Sequence, residues 1–241
     1  MVQTKIFAHR GFSGNYPENT MTAFKQAVKA GADGIELDVQ FTQDHVPVII
    51  HDRTVNRMTD GKGFVCDFPL AELRKLQMKE DQSERIPTFE EFLHWVEPHP
   101  VLLNVELKTE LKDRGGIPEL ILPLLAKYGV EDRTILSSFD HKALHAAKQK
   151  KPHIESAALI HQAMIDPSEY LKKLGVEGVH FKAVTLLMDE ANELQEKGYY
   201  LRPYTVNSVD QMKQFFTWGC DGIFTDYPDL ALTVREELDR L

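Results

Sequence analysis

The chain has 241 residues, 42% of them hydrophobic and 27% charged, with 28 Lys and Arg against 37 Asp and Glu for a formal net charge of −9. This describes a folded chain large enough to bury a core without disulfides, and its acidic balance argues against a nucleic-acid partner, which Lys and Arg would have to bind. No apolar run approaches the ~18–20 residues of a membrane span, the N-terminal segment lacks the basic-then-apolar pattern of a secretory leader, and Cys66 and Cys220 have neither metal nor disulfide spacing, so a cytoplasmic protein without stable membrane insertion is expected.

Apolar runs predict strands over residues 5–9, 34–42, 46–51, 101–108, 134–139, 156–160, 178–181, 199–206 and 222–225. Amphipathic periodicity between them predicts helices that include 20–30, 89–96, 118–128, 142–150, 186–197 and 209–218. Such alternation implies βαβ units and a mainly parallel sheet. The segment Gly31-Ala32-Asp33-Gly34-Ile35 recurs as Gly219-Cys220-Asp221-Gly222-Ile223 and, more loosely, as Gly175-Val176-Glu177-Gly178-Val179. Each copy reads as a helix stopped by a left-handed Gly, a tight turn and a new strand. About eight units follow from residue 5, the number in a (β/α)8 TIM barrel. A doubly wound sheet would carry a Gly-rich nucleotide loop after a strand, and none is present. The expected organisation is one domain over 1–241, with an insertion after the second barrel strand at approximately 52–87 that forms a functional loop on the active face.

Catalytic groups of a barrel sit at the C-terminal ends of its strands. Glu36 and Asp38, two apart, share one face of a strand, and Glu106 and Lys108 repeat the spacing. Three inward carboxylates repel one another unless a cation intervenes, and an all-oxygen set suits Mg²⁺ or Ca²⁺. The competing reading makes them barrel salt bridges with Arg10 and Lys108, but two cations do not balance three acids. His9 and His51 each end an apolar run, a pairing that suits a general acid and a general base. The other eight histidines are read as falling in helices or loops without a chemical role. Arg10 offers a fork and Lys108 a point charge for a phosphate. No Ser or Cys lies in a nucleophile motif. The residues alone therefore point to a metal-dependent barrel hydrolase acting on a phosphate ester.

An ordered series of motifs resembles the glycerophosphodiester phosphodiesterase family. It runs from Ala8-His9-Arg10-Gly11 and Pro17-Glu18-Asn19-Thr20 through Glu36-Leu37-Asp38, His51-Asp52, Arg57-Met58-Thr59-Asp60-Gly61 and Asn104-Val105-Glu106-Leu107-Lys108. It ends at Tyr204-Thr205-Val206-Asn207 and Asp221-Gly222-Ile223-Phe224-Thr225-Asp226. The resemblance implies His9 and His51 as the acid–base pair, Glu36, Asp38 and Glu106 as ligands of one Mg²⁺ or Ca²⁺, and Arg10 and Lys108 on the phosphate. Tyr204, where Trp is common in the family, is expected to line the glycerol pocket. Asn19 or Thr20 is expected to cap the first helix.

The implied reaction uses no protein nucleophile. The glycerol 2-hydroxyl attacks phosphorus, the alcohol departs, and water opens the cyclic phosphate to glycerol 3-phosphate. His9 is expected as the first-stage base and His51 as the acid. The substrate is a small glycerophosphodiester, and the oligomeric state is left open. A lysophospholipid or phosphoinositide phosphodiesterase would show an apolar rim around the mouth. The insertion offers only scattered apolar residues, which ranks that alternative second. A non-catalytic phosphate-binding protein would be expected to lack one of the two histidines or three carboxylates, and all five are present.

Overall fold

A computed structural model describes residues 3–109 and 116–240; Met1 and Val2 of the N-terminal segment read above lie outside the described residues. The strands are β1 (Lys5–Ala8), β2 (Gly34–Phe41), β3 (Pro47–Ile49), β4 (Leu102–Leu107), β5 (Thr134–Ser138), β6 (Glu155–Ile160), β7 (Gly178–Lys182), β8 (Tyr200–Tyr204) and β9 (Gly222–Thr225). The α-helices are α1 (Met21–Ala30), α2 (Leu70–Leu73), α3 (Phe89–Val96), α4 (Ile117–Lys127), α5 (His141–Lys150), α6 (Pro167–Leu174), α7 (Met188–Glu196), α8 (Val209–Thr217) and α9 (Pro228–Asp239). Hydrogen-bonded neighbours run β8-β7-β6-β5-β4-β2-β1-β9, all parallel. The ring closes between β8 and β9 through Val206 N–H to Phe224 O at 2.8 Å and Asp221 N–H to Leu201 O at 3.0 Å. This is a (β/α)8 barrel, as expected.

The repeated Gly-x-acid-Gly turn has a concrete task. Gly31, Gly175 and Gly219 are left-handed at φ 93°, 78° and 66°, where a side chain would be strained. The acid that follows each one caps the neighbouring strand. Asp33 accepts from Ile6 N–H at 2.8 Å, Glu177 from Ser156 N–H at 2.9 Å and Asp221 from Leu201 N–H at 2.8 Å. The turn thus fixes each new strand against the one before it.

One strand departs from the expectation. The apolar run predicted over 46–51 gives β3, which pairs antiparallel with the far end of β2 and lies off the barrel path. Hydrophobic alternation is the same for either direction, so the pattern could not distinguish a barrel strand from a hairpin return. The excursion therefore begins with the turn after β2, earlier than residue 52. It buries its own small core, including Val48, Ile50, Val55, Met58, Val65 and Leu73. Elsewhere the core lies between strands and helices, with Phe7, Ile135, Ala157 and Phe224 clustered separately.

Candidate active site

The site is built at the C-terminal ends of β1, β2 and β4. All eight residues of β2 are buried, and its alternation places Glu36, Asp38 and Gln40 on one face. Asp38 stands opposite Glu106 in the β2–β4 register. Oxygen atoms of Glu36, Asp38 and Glu106 lie within 4.8 Å of one another, and all three residues are buried. Burial and the Asp38 and Glu106 charges push the Glu36 carboxyl well above the carboxylate range, although Arg10 opposes them. Burial and Asp38 push Glu106 up to about 7 against the pull of Lys108. Asp38, despite burial, is held low by Lys108, Arg10 and His51 and by a hydrogen bond from Asn19.

The cations expected on the phosphate face these acids. Lys108 Nζ lies 2.6 Å from Glu106 Oε1 and 3.2 Å from Asp38 Oδ1. Arg10 Nε lies 3.5 Å from Asp38 Oδ2, and the Arg10 backbone N–H donates to Glu36 Oε2 at 2.8 Å. The pairing half of the salt-bridge reading is therefore present, with two cations set against three carboxyl groups. Three converging hard oxygen donors with like-charge repulsion between them fit a Mg²⁺- or Ca²⁺-sized ion.

Both histidines sit in imidazole–carboxylate pairs. His9 follows β1, and its Nδ1 lies 2.7 Å from Asp226 Oδ1. Asp226 also accepts from Ser13 Oγ at 3.0 Å and from Asn207 Nδ2 at 2.6 Å. Burial would raise the Asp226 carboxyl, but the hydrogen bond and charge of His9, together with these donors, hold it below the ordinary range. His51 pairs through Nδ1 with Asp52 Oδ1 at 2.8 Å. It reaches the mouth by a different route from the one expected. The chain folds back from β3 until Ile50 N–H meets Asp38 O at 3.0 Å, so His51 does not end a barrel strand. The side-chain amide of Gln40 donates to the carbonyls of Ile50, His51 and Asp52 at 2.7, 3.0 and 2.7 Å and holds this segment over the site. Burial, then Lys108 and Arg10, lower the His51 pKa, while Asp38 and Asp52 oppose them.

Several further residues were missed or misread. Of the two candidate caps, Asn19 is not the one used. Thr20 caps α1 by accepting from Ala23 N–H, and Asn19 Nδ2 instead donates to Asp38 Oδ2 at 2.8 Å. His180, counted among the histidines of helices and loops, lies on β7, fully buried with Arg202 Nη1 3.5 Å from its Nε2. Alternation does mark its strand, but nothing local distinguishes the interior face of a barrel from the outer one.

A cavity of about 220 Å³ is lined by His9, Arg10, Glu36, His51, Glu106 and Lys108 at one end and by Tyr204, Phe224 and His180 at the other. The Tyr204 hydroxyl donates to Ile160 O at 2.7 Å, which turns its ring into a fixed wall. Phe139 stands edge-on to that ring at 6.1 Å. Phe139, His51, Glu106 and Lys108 also border a larger open groove of about 910 Å³.

Known proteins match this chain throughout. The model of the glycerophosphoryl diester phosphodiesterase family matches residues 9–230. A glycerophosphodiester phosphodiesterase of Bacillus altitudinis is 42% identical over 98% of this chain and 99% of its own length. One from Caldanaerobacter subterraneus subsp. tengcongensis is 36% identical over 97% and 98%. Among solved structures, an Oleispira antarctica phosphodiesterase in complex with the product sn-glycerol-3-phosphate superposes with a TM-score of 0.93 at 29% identity, covering 97% of each chain. No helix among the described residues is long and apolar enough to cross a membrane.

Proposed function

The chain belongs to the glycerophosphoryl diester phosphodiesterase family and is a phosphoric diester hydrolase, and from that premise we propose that it cleaves glycerophosphodiesters to glycerol 3-phosphate and an alcohol by attack of the substrate's own 2-hydroxyl. The observation that supports this reading is the convergence of two imidazole–carboxylate pairs and three buried carboxylates on one cavity. The smaller cavity takes the glycerol phosphate, and the larger groove takes the alcohol. The two cysteines are free thiols, in keeping with the cytoplasm as the proposed compartment.

Glu36, Asp38 and Glu106 would hold the divalent cation. When bound, Mg²⁺ or Ca²⁺ supplies positive charge that acidifies the glycerol 2-hydroxyl and neutralises phosphate oxygens. His51, with Nδ1 committed to Asp52, has Nε2 free to take the hydroxyl proton. Its lowered pKa keeps it neutral at pH 7, the form that accepts. The freed oxygen attacks phosphorus while the bond to the alcohol breaks. His9, held at Nδ1 by Asp226, gives a proton to the departing oxygen. Water then opens the cyclic phosphate with both roles exchanged, which restores both imidazoles. This order reverses the one expected from sequence, because burial and the cations Lys108 and Arg10 favour a neutral His51. Arg10 and Lys108 stand beside the cluster, where the phosphate would sit.

A panel of glycerophosphodiesters, read by release of glycerol 3-phosphate, tests the activity. A diester lacking the 2-hydroxyl should bind without cleavage, and its turnover would contradict substrate assistance. With p-nitrophenol as leaving group, which needs no proton, His9→Ala should lose much less rate than His51→Ala. Equal losses would overturn the order.

A lysophospholipid substrate is the second reading, and one observation favours it. The loops after β6 and β7 expose Ile165, Val184 and Leu187 at 93%, 74% and 71%, so apolar side chains do rim this side of the barrel face, away from the insertion. Comparable turnover of a lysophospholipid and its deacylated diester would support that reading, and a strong preference for the deacylated form would exclude it.

A further inference from the structure

The insertion does more than add surface. Its chain from residue 53 to 65 is pinned at several points. Val55 N–H donates to Gly63 O, Val65 N–H to Arg53 O, Thr59 N–H to Val55 O and Lys79 N–H to Met58 O. Val55 and Met58 are buried in its small core. Arg57, between them, is partly exposed and extends outward as a fork. Its Nε and Nη2 donate to the two carboxylate oxygens of Asp52 at 2.7 and 3.0 Å. Its Nη1 and Nη2 donate to the two oxygens of Glu18 at 3.0 and 2.7 Å. Glu18 in turn accepts from Arg10 Nη1 at 2.9 Å, and Asp52 pairs with His51 Nδ1 at 2.8 Å. One guanidinium thereby links His51, Asp52, Glu18 and Arg10, bringing together the loop after β1, the segment after β3 and the insertion.

We propose that Arg57 is a positioning residue for the hydrolysis, fixing the His51 imidazole through Asp52 and the Arg10 guanidinium through Glu18, and that presenting it is the task of the insertion. This rests on the proposed function of the same site. Exposed ion pairs add little to stability, so what a double fork contributes here is orientation. An Asp52 carboxylate free to rotate would no longer hold His51 Nδ1–H in one direction, and Arg10 would lose the far anchor of its Glu18 partner. Lysine keeps the charge but cannot grip two carboxylates in this way.

The test compares Arg57→Ala and Arg57→Lys with the unmodified protein, loaded with Mg²⁺, on a glycerophosphodiester that the unmodified protein turns over. Arg57→Ala should lose about 10²-fold in kcat, the scale of a misplaced reacting group, with a smaller change in KM and little change in Tm. Arg57→Lys should not recover the loss, and added guanidinium ion should restore part of it in Arg57→Ala alone. A second readout needs no substrate. The imidazole ¹⁵N spectrum of the free protein should show His51 as a single Nδ1–H tautomer that becomes mixed in Arg57→Ala, with His9 unchanged. Retention of kcat within about threefold, well short of the cost of misplacement, would overturn the proposal. So would a loss that follows a fallen Tm without guanidinium rescue, or an unaltered His51 tautomer. If the unmodified protein cleaves no glycerophosphodiester, the functional reading fails, and the ¹⁵N spectrum still decides the role of Arg57.

Discussion

Nδ1 of His9 lies 2.7 Å from Oδ1 of Asp226, a contact between the end of the first barrel strand and the end of the last, 217 positions apart. Closure of the barrel is what brings them together, since β1 pairs with β9 in register, with Ala8 opposite Thr225. A histidine tied at Nδ1 to an ionised carboxylate carries its proton there and presents Nε2 to the cavity.

Asp226→Asn should therefore cost activity without unfolding the chain. The amide cannot stabilise an imidazolium, so kcat should fall within the ~10²–10⁴-fold range that one acid–base group is worth. KM should change little. Steady-state kinetics alongside a thermal melt checks this, and kcat close to that of the parent protein would mean that His9 acts without its partner.

The carboxylate cluster gives a prediction about stability. Glu36→Gln replaces a carboxyl that burial and the Asp38 and Glu106 charges keep protonated in the absence of metal, so the metal-free variant should melt close to the metal-free parent. The parent should gain stability from Mg²⁺ or Ca²⁺, about 2.7 kcal/mol at a concentration one hundred times Kd, and the variant should gain much less. Calorimetry with and without the ion reads both effects. Equal ion-induced shifts in the two proteins would remove Glu36 from the ligand set.

The contrast between His9 and His51 marks what the sequence could reveal. Strand–helix alternation, the repeated glycine turns and the Glu36–Asp38 and Glu106–Lys108 spacings are local patterns, and each corresponds to an observed element or to the buried cluster. Chain direction is not a local pattern, so β3 read as one more barrel strand and His51 as its catalytic end. Ion pairs between distant segments are equally silent. Glu18 and Arg57 are 39 residues apart and follow no periodicity, while Asn19 read only as one of two candidate caps because its bond to Asp38 forms only once β2 is in place.

The Asp52 carboxyl is drawn down to about 2, mainly by hydrogen bonds from Arg57, against partial burial and with help from His51. A folded-state pKa below the unfolded value of 3.8 means that the unfolded chain binds protons first as pH falls. The contribution of Asp52 is thus present above that pH and is lost as pH drops towards 2. Denaturant titrations at stepped pH should show the parent exceeding Asp52→Asn near neutrality by no more than about 1 kcal/mol, the scale of a solvent-screened pair, with the difference closing between about pH 4 and 2. A difference that stays constant down to the lower limit would show that the pairing does not stabilise the fold.

Gly11 lies between Arg10 and the start of α1 at φ +80°, and a Cβ there would meet the Ala23 carbonyl carbon at 2.7 Å and Phe24 N at 2.9 Å. The obstacle is helix backbone, which cannot rotate away. Gly11→Ala should lose about 1–2 kcal/mol from the left-handed conformation alone, and more from the overlap. Since Arg10 N–H is bonded to Glu36, kcat should fall as well. Urea denaturation together with kinetics checks both, and a fully stable, fully active variant would mean that this loop is free to shift.

The central claim is that Glu36, Asp38 and Glu106 hold a divalent cation that works with two histidines on a glycerophosphodiester. The most direct test is release of glycerol 3-phosphate from such a diester by protein in excess chelator, followed by return of Mg²⁺ or Ca²⁺. No release in chelator and recovery with either ion is the predicted result. Full turnover in excess chelator would contradict it.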